Sequence, residues 1–211
     1  MSPFNYNSNS ADAVFYGANE VDAIYQGVTQ VYISGTFLSL TFYESALGAT
    51  MGSTDAYVVD TSGNIIGTAV YSRAAANNGN ANWNLRTATA VKISVAFRIA
   101  WHYVSGSSYT GDYAIDTVTL QGTPYNFDTD SDAFLTNSVE TPNSATAFSS
   151  AVTPPTNSSQ GRWSRQTGST GSGSTGPATA QSGTHYLYTE TSGFDGSPSK
   201  NFWLFSPEIV L

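Results

Sequence analysis

Cysteine is absent from this 211-residue chain, so neither a disulfide framework nor a thiolate metal site is available to it. Its redox compartment cannot be read from cysteine usage either. Positive charge is scarce: 7 Lys and Arg stand against 15 Asp and Glu, for a net charge of −8. A chain this short of cations makes a poor partner for a phosphate backbone, so no nucleic acid is expected. No apolar run approaches the length of a membrane span, so no membrane partner is expected. Convincing helical periodicity is missing throughout, which leaves strands as the only regular element to look for.

What is present is Ser, Thr, Asn, Gly, Ala and Tyr. A low-charge surface rich in hydroxyls, amides and tyrosine suits a protein that works outside a cell or in a particle. The opening Met1-Ser2-Pro3-Phe4-Asn5-Tyr6 has no basic region followed by an apolar core, so the expectation is export without a signal peptide, as in release by lysis. The length allows one large β domain with a sizeable core, or such a domain with a small appendage.

The appendage is expected in residues 1–34. After a polar arm, Tyr16-Gly17-Ala18-Asn19-Glu20-Val21 is echoed by Gln26-Gly27-Val28-Thr29-Gln30-Val31, with Phe15-Tyr16, Ile24-Tyr25 and Val31-Tyr32 as aromatic or β-branched pairs. Each Gly opens a turn, so the segment reads as two small hairpins in a meander, too small to be stable alone. The pattern resembles the short Tyr-Gly repeats near the N-termini of many phage virion proteins. That likeness implies a docking role, with Phe15, Tyr16, Tyr25 and Tyr32 as candidate contacts; two ordinary hairpins are the other reading.

From Thr36 the strand signals become regular. Residues 37–43 place Leu38, Leu40 and Phe42 on one face, residues 56–60 form a second strand, and Thr61-Ser62-Gly63-Asn64 is a turn. Leu47-Gly48-Ala49-Thr50-Met51-Gly52 reads as a loop. Alternation is clearest where Val91, Ile93, Val95, Phe97, Ile99, Trp101 and Tyr103 face Lys92, Ser94, Ala96, Arg98, Ala100 and His102, as in one long strand with a core face and a half-wet face. Residues 153–159 and 168–177 are Ser-, Thr-, Gly- and Pro-rich and read as loops or a linker. Glu208-Ile209-Val210-Leu211 looks like a strand whose neighbour lies elsewhere in the sequence. The expected fold is an all-β sandwich or barrel.

One strand stands apart. In residues 111–122, two-residue alternation puts Asp116 on the same face as Ala114, Val118 and Leu120, the apolar face. An ionised group there must be paired, metal-bound or protonated.

Several segments together resemble a MAM domain, the jelly-roll adhesion module of cell-surface proteins: Phe127-Asp128, Trp163-Ser164-Arg165-Gln166, Thr175-Gly176-Pro177, Tyr186-Leu187-Tyr188-Thr189-Glu190, Phe205-Ser206-Pro207, Leu47 to Gly52, and Gly111-Asp112-Tyr113-Ala114-Ile115-Asp116. Their order is that of a circular permutant, with the second half (35–122) ahead of the first half (123–211), as close termini would allow. The resemblance implies a concanavalin-like jelly-roll sandwich over 35–211. Either the strand ending at Leu211 pairs beside residues 37–42 of its own chain, the favoured form, or each chain completes its neighbour. It also implies a structural cation where Asp116 and Asp128 meet, with Asp112 as a further ligand, and calcium suits such oxygens. Ala180-Gln181-Ser182 stands where the family usually has Asp-His-Thr, removing one ligand. Asp116 held by backbone N–H groups and turn hydroxyls is the alternative.

Catalytic constellations do not emerge. His102 and His185 lie in or beside strands, and no nucleophile elbow, phosphate loop or His-x-x-x-His spacing occurs. Asp128, Asp130 and Asp132 crowd a polar turn, where acids are usually solvated or metal-holding rather than catalytic. Trp101, Trp163 and Trp203 fall in strand patterns and are expected in the core; Trp83 is a further aromatic able to stack on a sugar. The expectation is a non-enzymatic phage virion structural protein, in capsid decoration, tail or fibre, contacting other virion proteins, forming a homo-oligomer on the particle and meeting host-surface glycan. A free calcium-dependent carbohydrate-binding module is the alternative.

Overall fold

In the computed structural model, the described residues are 35–75, 80–129, 133–137, 163–192 and 200–211, with short strands at 15–16, 19–20, 23–26, 29–33 and 149–150. Two antiparallel sheets pack as a β-sandwich of jelly-roll type, and the chain is all-β. One sheet runs β15 (Ser149–Ser150), β14 (Leu135–Asn137), β18 (Asn201–Phe205), β11 (Phe97–Val104), β7 (Ser53–Asp60) and β8 (Ile65–Arg73). The other runs β16 (Trp163–Thr167), β17 (His185–Thr189), β12 (Gly111–Leu120), β6 (Leu40–Gly48) and β9 (Asn80–Thr87), with β13 (Thr123–Tyr125) alongside β12. The two halves of the sequence interleave within one chain, since β12 pairs with β17 and β11 with β18.

Aromatic residues from facing strands fill the space between the sheets. Phe42 meets Trp101 edge-on at 5.8 Å, Tyr103 stacks on Tyr113 at 5.3 Å, and Trp163 stands edge-on to Tyr113 at 5.7 Å. Such pairs each add about 0.5–1.5 kcal/mol beyond the burial of their area. Trp101 and Trp163 belong to this core. Trp203 is equally buried but packs with Val59, Ala100 and Phe205 on the opposite face of β11, where His102 stacks on it at 3.9 Å. The face of β11 expected to be half-wet is therefore covered at Ala100.

Three local expectations are corrected. The alternation over residues 91–103 spans two strands, because β10 (Lys92–Ile93) pairs with β5 (Thr36–Phe37) while β11 joins β7 and β18. Between them the chain changes partners, and Val95 is 49% exposed. The chain end does not lie beside residues 37–42: β6 already has β12 and β9 as neighbours, and Ile209 bridges Phe97 instead. The expected loop at residues 47–52 begins late, since β6 continues to Gly48. Residues 168–177 are a loop, one of the two expected readings, and it folds as a cover, with Thr170 Oγ1 donating to the Thr175 carbonyl and Gly176 N–H to that of Leu47.

At the N-terminus, β1 (Phe15–Tyr16) pairs with β2 (Asn19–Glu20), and β3 (Ala23–Gln26) with β4 (Thr29–Ile33). These are separate two-stranded sheets, not one meander, and neither pairs with a strand of the sandwich among the described residues.

Close backbone approach sets one sharp constraint. A Cβ on Gly52 would lie 1.7 Å from the Val104 carbonyl oxygen, and Gly52 N–H donates to Tyr103 Oη at 3.2 Å. Gly52→Ala is expected to lower unfolding free energy by about 1–3 kcal/mol, read from urea denaturation, because backbone rather than a flexible side chain must yield.

Candidate functional site

The strand carrying Asp112 and Asp116 is broken by a bulge. Register shifts between Asp116 and Thr119, and Thr117 takes φ 47°, a left-handed conformation that β-branched residues rarely adopt. The bulge inverts the alternation. Tyr113 and Ile115 face the core before it, and Val118 and Leu120 after it. Asp116 thus shares its face with Asp112 and Ala114, not with Val118 and Leu120, and is buried on the outer side of the sheet.

The bulge also marks a change of partner. On one side of β12, β17 pairs with residues 113–115 and β13 with residues 118–120, leaving a gap at Asp116. The chain entering β17 crosses this gap, and two carboxylates receive its amides. Asp116 Oδ2 accepts from the N–H groups of Gln181 at 2.8 Å and Ser182 at 3.2 Å. Asp116 Oδ1 accepts from Thr117 N–H at 2.6 Å. Asp128 Oδ1 accepts from the N–H groups of Thr184 and His185, each at 2.9 Å, and from Thr184 Oγ1. Gly183, at φ 66°, turns between the two acids, and a Cβ there would strike Asp128. Arg165 Nη2 lies 3.1 Å from His185 Nε2 and can only donate, so Nε2 accepts and the ring proton sits on Nδ1, 3.1 Å from Asp128 Oδ1.

Asp112 lies further along the strand, beneath the cover formed by residues 168–176. Its Oδ2 accepts from Thr175 Oγ1 at 2.7 Å, and its Oδ1 from Thr191 N–H and Oγ1. Burial pushes its carboxyl up to about 6, with the nearby Glu190 charge adding to the effect. Burial pushes Asp116 up to about 6 as well, against the pull of its N–H donors. Asp128 moves the other way, held down to about 2 by the Thr184 amide and the His185 side chain.

The implied calcium site does not fit these residues. Every oxygen of Asp112 and Asp116, and Oδ1 of Asp128, already faces N–H or O–H hydrogens, which repel a cation that would need the same lone pairs. The structure brings Asp116 and Asp128 to one turn, as expected, but sets Asp112 apart under a different loop. Among the described residues no group of three or more His, Asp or Glu converges as metal ligands. Asp130 and Asp132 lie outside the described residues, as do the side chains of Phe15, Tyr16, Tyr25 and Tyr32.

A second polar site escaped the sequence reading. β8 and β9 are the edge strands of their sheets, and between them opens a cleft of about 260 Å³ lined by Glu44, Ala46, Arg73, Asn84 and Arg86. Glu44, on β6, is almost fully buried. Its Oε2 accepts from Tyr71 Oη at 2.8 Å and Tyr113 Oη at 2.7 Å, and its Oε1 from Arg86 Nε at 2.7 Å. Burial and then the Glu44 charge raise the phenol of Tyr71, and do the same for Tyr113. Arg73 Nη1 is committed to the carbonyls of Gly52 and Ala74. The sequence signal was there: Glu44 continues the core-facing series Leu40, Phe42, so the alternation test that isolated Asp116 would have isolated Glu44 too.

No protein-family model, no curated protein and no solved structure matches this chain.

The two buried aspartates are expected to respond differently to amide substitution. At residue 112 an amide keeps one acceptor for Thr191 and offers Nδ2 to Thr175 Oγ1, whose hydroxyl can turn toward the Ser172 carbonyl. At residue 116 an amide NH2 must face a backbone N–H. Asp116→Asn should therefore cost about 1–3 kcal/mol, whereas Asp112→Asn should be tolerated. Because Asp112 and Asp116 have folded values above those of the unfolded chain, the folded state holds more protons between about pH 4 and 6, and stability falls as pH rises through that window. Asp128 acts oppositely, its contribution being lost as pH falls from about 4 toward 2. The thermal midpoint should thus rise from pH 7 to about pH 5 and drop below about pH 3, with a flatter upper limb in Asp112→Asn. A calcium chelator should leave the midpoint unchanged.

Proposed function

We propose that this chain is a non-enzymatic virion structural protein of a phage, in which N-terminal hairpins dock onto the particle and a permuted MAM-like jelly roll projects from it, in several copies, toward host-surface glycan. The observation that carries the reading is that neither hairpin pairs with a strand of the sandwich among the described residues. β1–β2 and β3–β4 form two-stranded sheets of their own. Isolated hairpins of this size are at best marginal in water, so they need a surface to pack on, and other virion proteins supply one. The polar, acidic composition and the likeness of the Tyr-Gly repeats to phage virion proteins support the same reading.

The alternative, a free carbohydrate-binding module, draws on the polar cleft between β8 and β9, although its calcium requirement finds no suitable ligand set at Asp112, Asp116 and Asp128. Purified particles of the source virus should contain the full chain at a fixed copy number. A chain lacking residues 1–34 should fold, as judged by an unchanged cooperative melt, yet stay in the supernatant. Absence of the full chain from particles, or undiminished attachment of the truncated one, would overturn the proposal.

A further inference from the structure

The cleft between β8 and β9 concentrates positive charge in a chain that has little of it. Two of the 7 cations of the sequence, Arg73 and Arg86, line it beside the single carboxylate of Glu44. Local charge is therefore positive on a protein whose net charge is −8.

The groups lining the cleft differ in their remaining capacity to bind. Glu44 has spent most of its lone pairs: Oε2 holds two phenols and Oε1 holds Arg86, with Arg73 Nε 4.0 Å away. Arg86 uses only Nε for Glu44, so both terminal nitrogens remain available, and its side chain is 40% exposed at the cleft mouth. Arg73 keeps Nη2. Asn84 lies directly across the ladder from Glu44; its Nδ2 donates to the Asn82 carbonyl and its Oδ1 remains as an acceptor. The unused groups are thus mostly donors, and planar guanidinium donors match a carboxylate in a paired geometry. A volume of about 260 Å³ falls just short of the roughly 300 Å³ at which sites for drug-sized ligands begin, so one sugar ring is the largest unit it takes.

We propose that this cleft binds the carboxylate of an acidic sugar, such as a uronic acid residue of a surface polysaccharide, through the terminal nitrogens of Arg86 and Nη2 of Arg73. Glu44 is the positioning residue. Anchored by Tyr71 from one sheet and Tyr113 from the other, it fixes Nε of Arg86 and so aims the two terminal nitrogens outward. Asn84 meets a ring hydroxyl. The inference deepens the glycan-contact half of the proposed function and rests on that reading for its biological ligand, but its chemistry can be tested on the isolated full chain.

The experiment is a titration of the labelled full-length protein, followed by NMR at the Arg86 side chain and the Asn84 amide, with galacturonate, galactose and acetate. Galactose carries the ring without the acid; acetate carries the acid without the ring. Galacturonate should give saturable shifts in the millimolar range, at least about tenfold tighter than acetate, and galactose should give none. Arg86→Gln should weaken galacturonate at least about tenfold. Should that variant fail to fold, Arg86→Lys keeps a cation beside Glu44 while losing the paired donors, and should weaken binding to a similar degree. Absence of saturation with galacturonate, equal binding of galactose, equal binding of acetate, or unchanged affinity in a folded Arg86 variant would overturn the assignment. Binding by a chain that never enters particles would sink the virion reading and leave the cleft standing; a particle component that ignores galacturonate would do the reverse.

Discussion

Four backbone amides, those of Gln181, Ser182 and Thr184 on the way into β17 and that of His185 at its first residue, donate not to a neighbouring strand but to Asp116 and Asp128, which accept all four. A fully buried amide without an acceptor costs about 1–3 kcal/mol; Gln181 and His185 are half-buried and Ser182 and Thr184 are exposed, so the largest share of the cost falls at the buried carboxylate of Asp116. The bulge at Thr117 is what places one of those acceptors, since without it Asp116 would stay in phase with Val118 and Leu120 and point between the sheets. A locally unfavourable φ at a β-branched residue is thus sustained by hydrogen bonds made by its neighbour, and Thr117 Oγ1 adds another to Gln181 Oε1 at 2.7 Å. With β17 so delivered, β16 can pair at its far edge, and the sheet that carries Trp163 into the core is complete.

The same accounting explains the ionisable groups elsewhere. Asp112 anchors the cover of residues 168–176 by accepting from Thr175, and Glu44 joins the two sheets by accepting from a tyrosine of each. Three buried acids therefore serve three places where regular pairing fails or the sheets part. At Glu44 the arrangement reaches solvent through Arg86, because β8 and β9 are both edge strands and the cleft opens between them. Glu44 there is largely spent on the protein while the terminal nitrogens of Arg86 are not, which gives the cleft its preference for an anion.

Much of the architecture was legible from the chain. Alternation in residues 37–43 and 97–103 identified core residues that are indeed buried, among them Leu38, Leu40, Phe42, Phe97, Ile99, Trp101 and Tyr103. Asp116 and Asp128 were expected to meet, and they do meet at one turn. Legibility failed where the chain changes partner without changing pattern. Val95 continues an alternation that the structure abandons, and the phase of residues 111–120 is inverted by one bulged residue that alternation cannot detect. Asp112 was grouped with Asp116 because both lie on one strand, yet the loops that cover them are different.

The sequence by itself determined the class of fold, because period-two apolar spacing, frequent turn residues and the lack of helical periodicity admit only packed sheets, and it determined that an acid in such a strand must find partners. Tertiary structure decided who those partners are. Amides from residues 181–185, hydroxyls from Thr175 and Thr191, and phenols from Tyr71 and Tyr113 are 27 to 79 positions distant from the acids they bind. Hydrogen bonds are short and directional, so which donor reaches which carboxylate depends on how strands from distant parts of the chain are laid side by side, and spacing along the sequence carries no record of that.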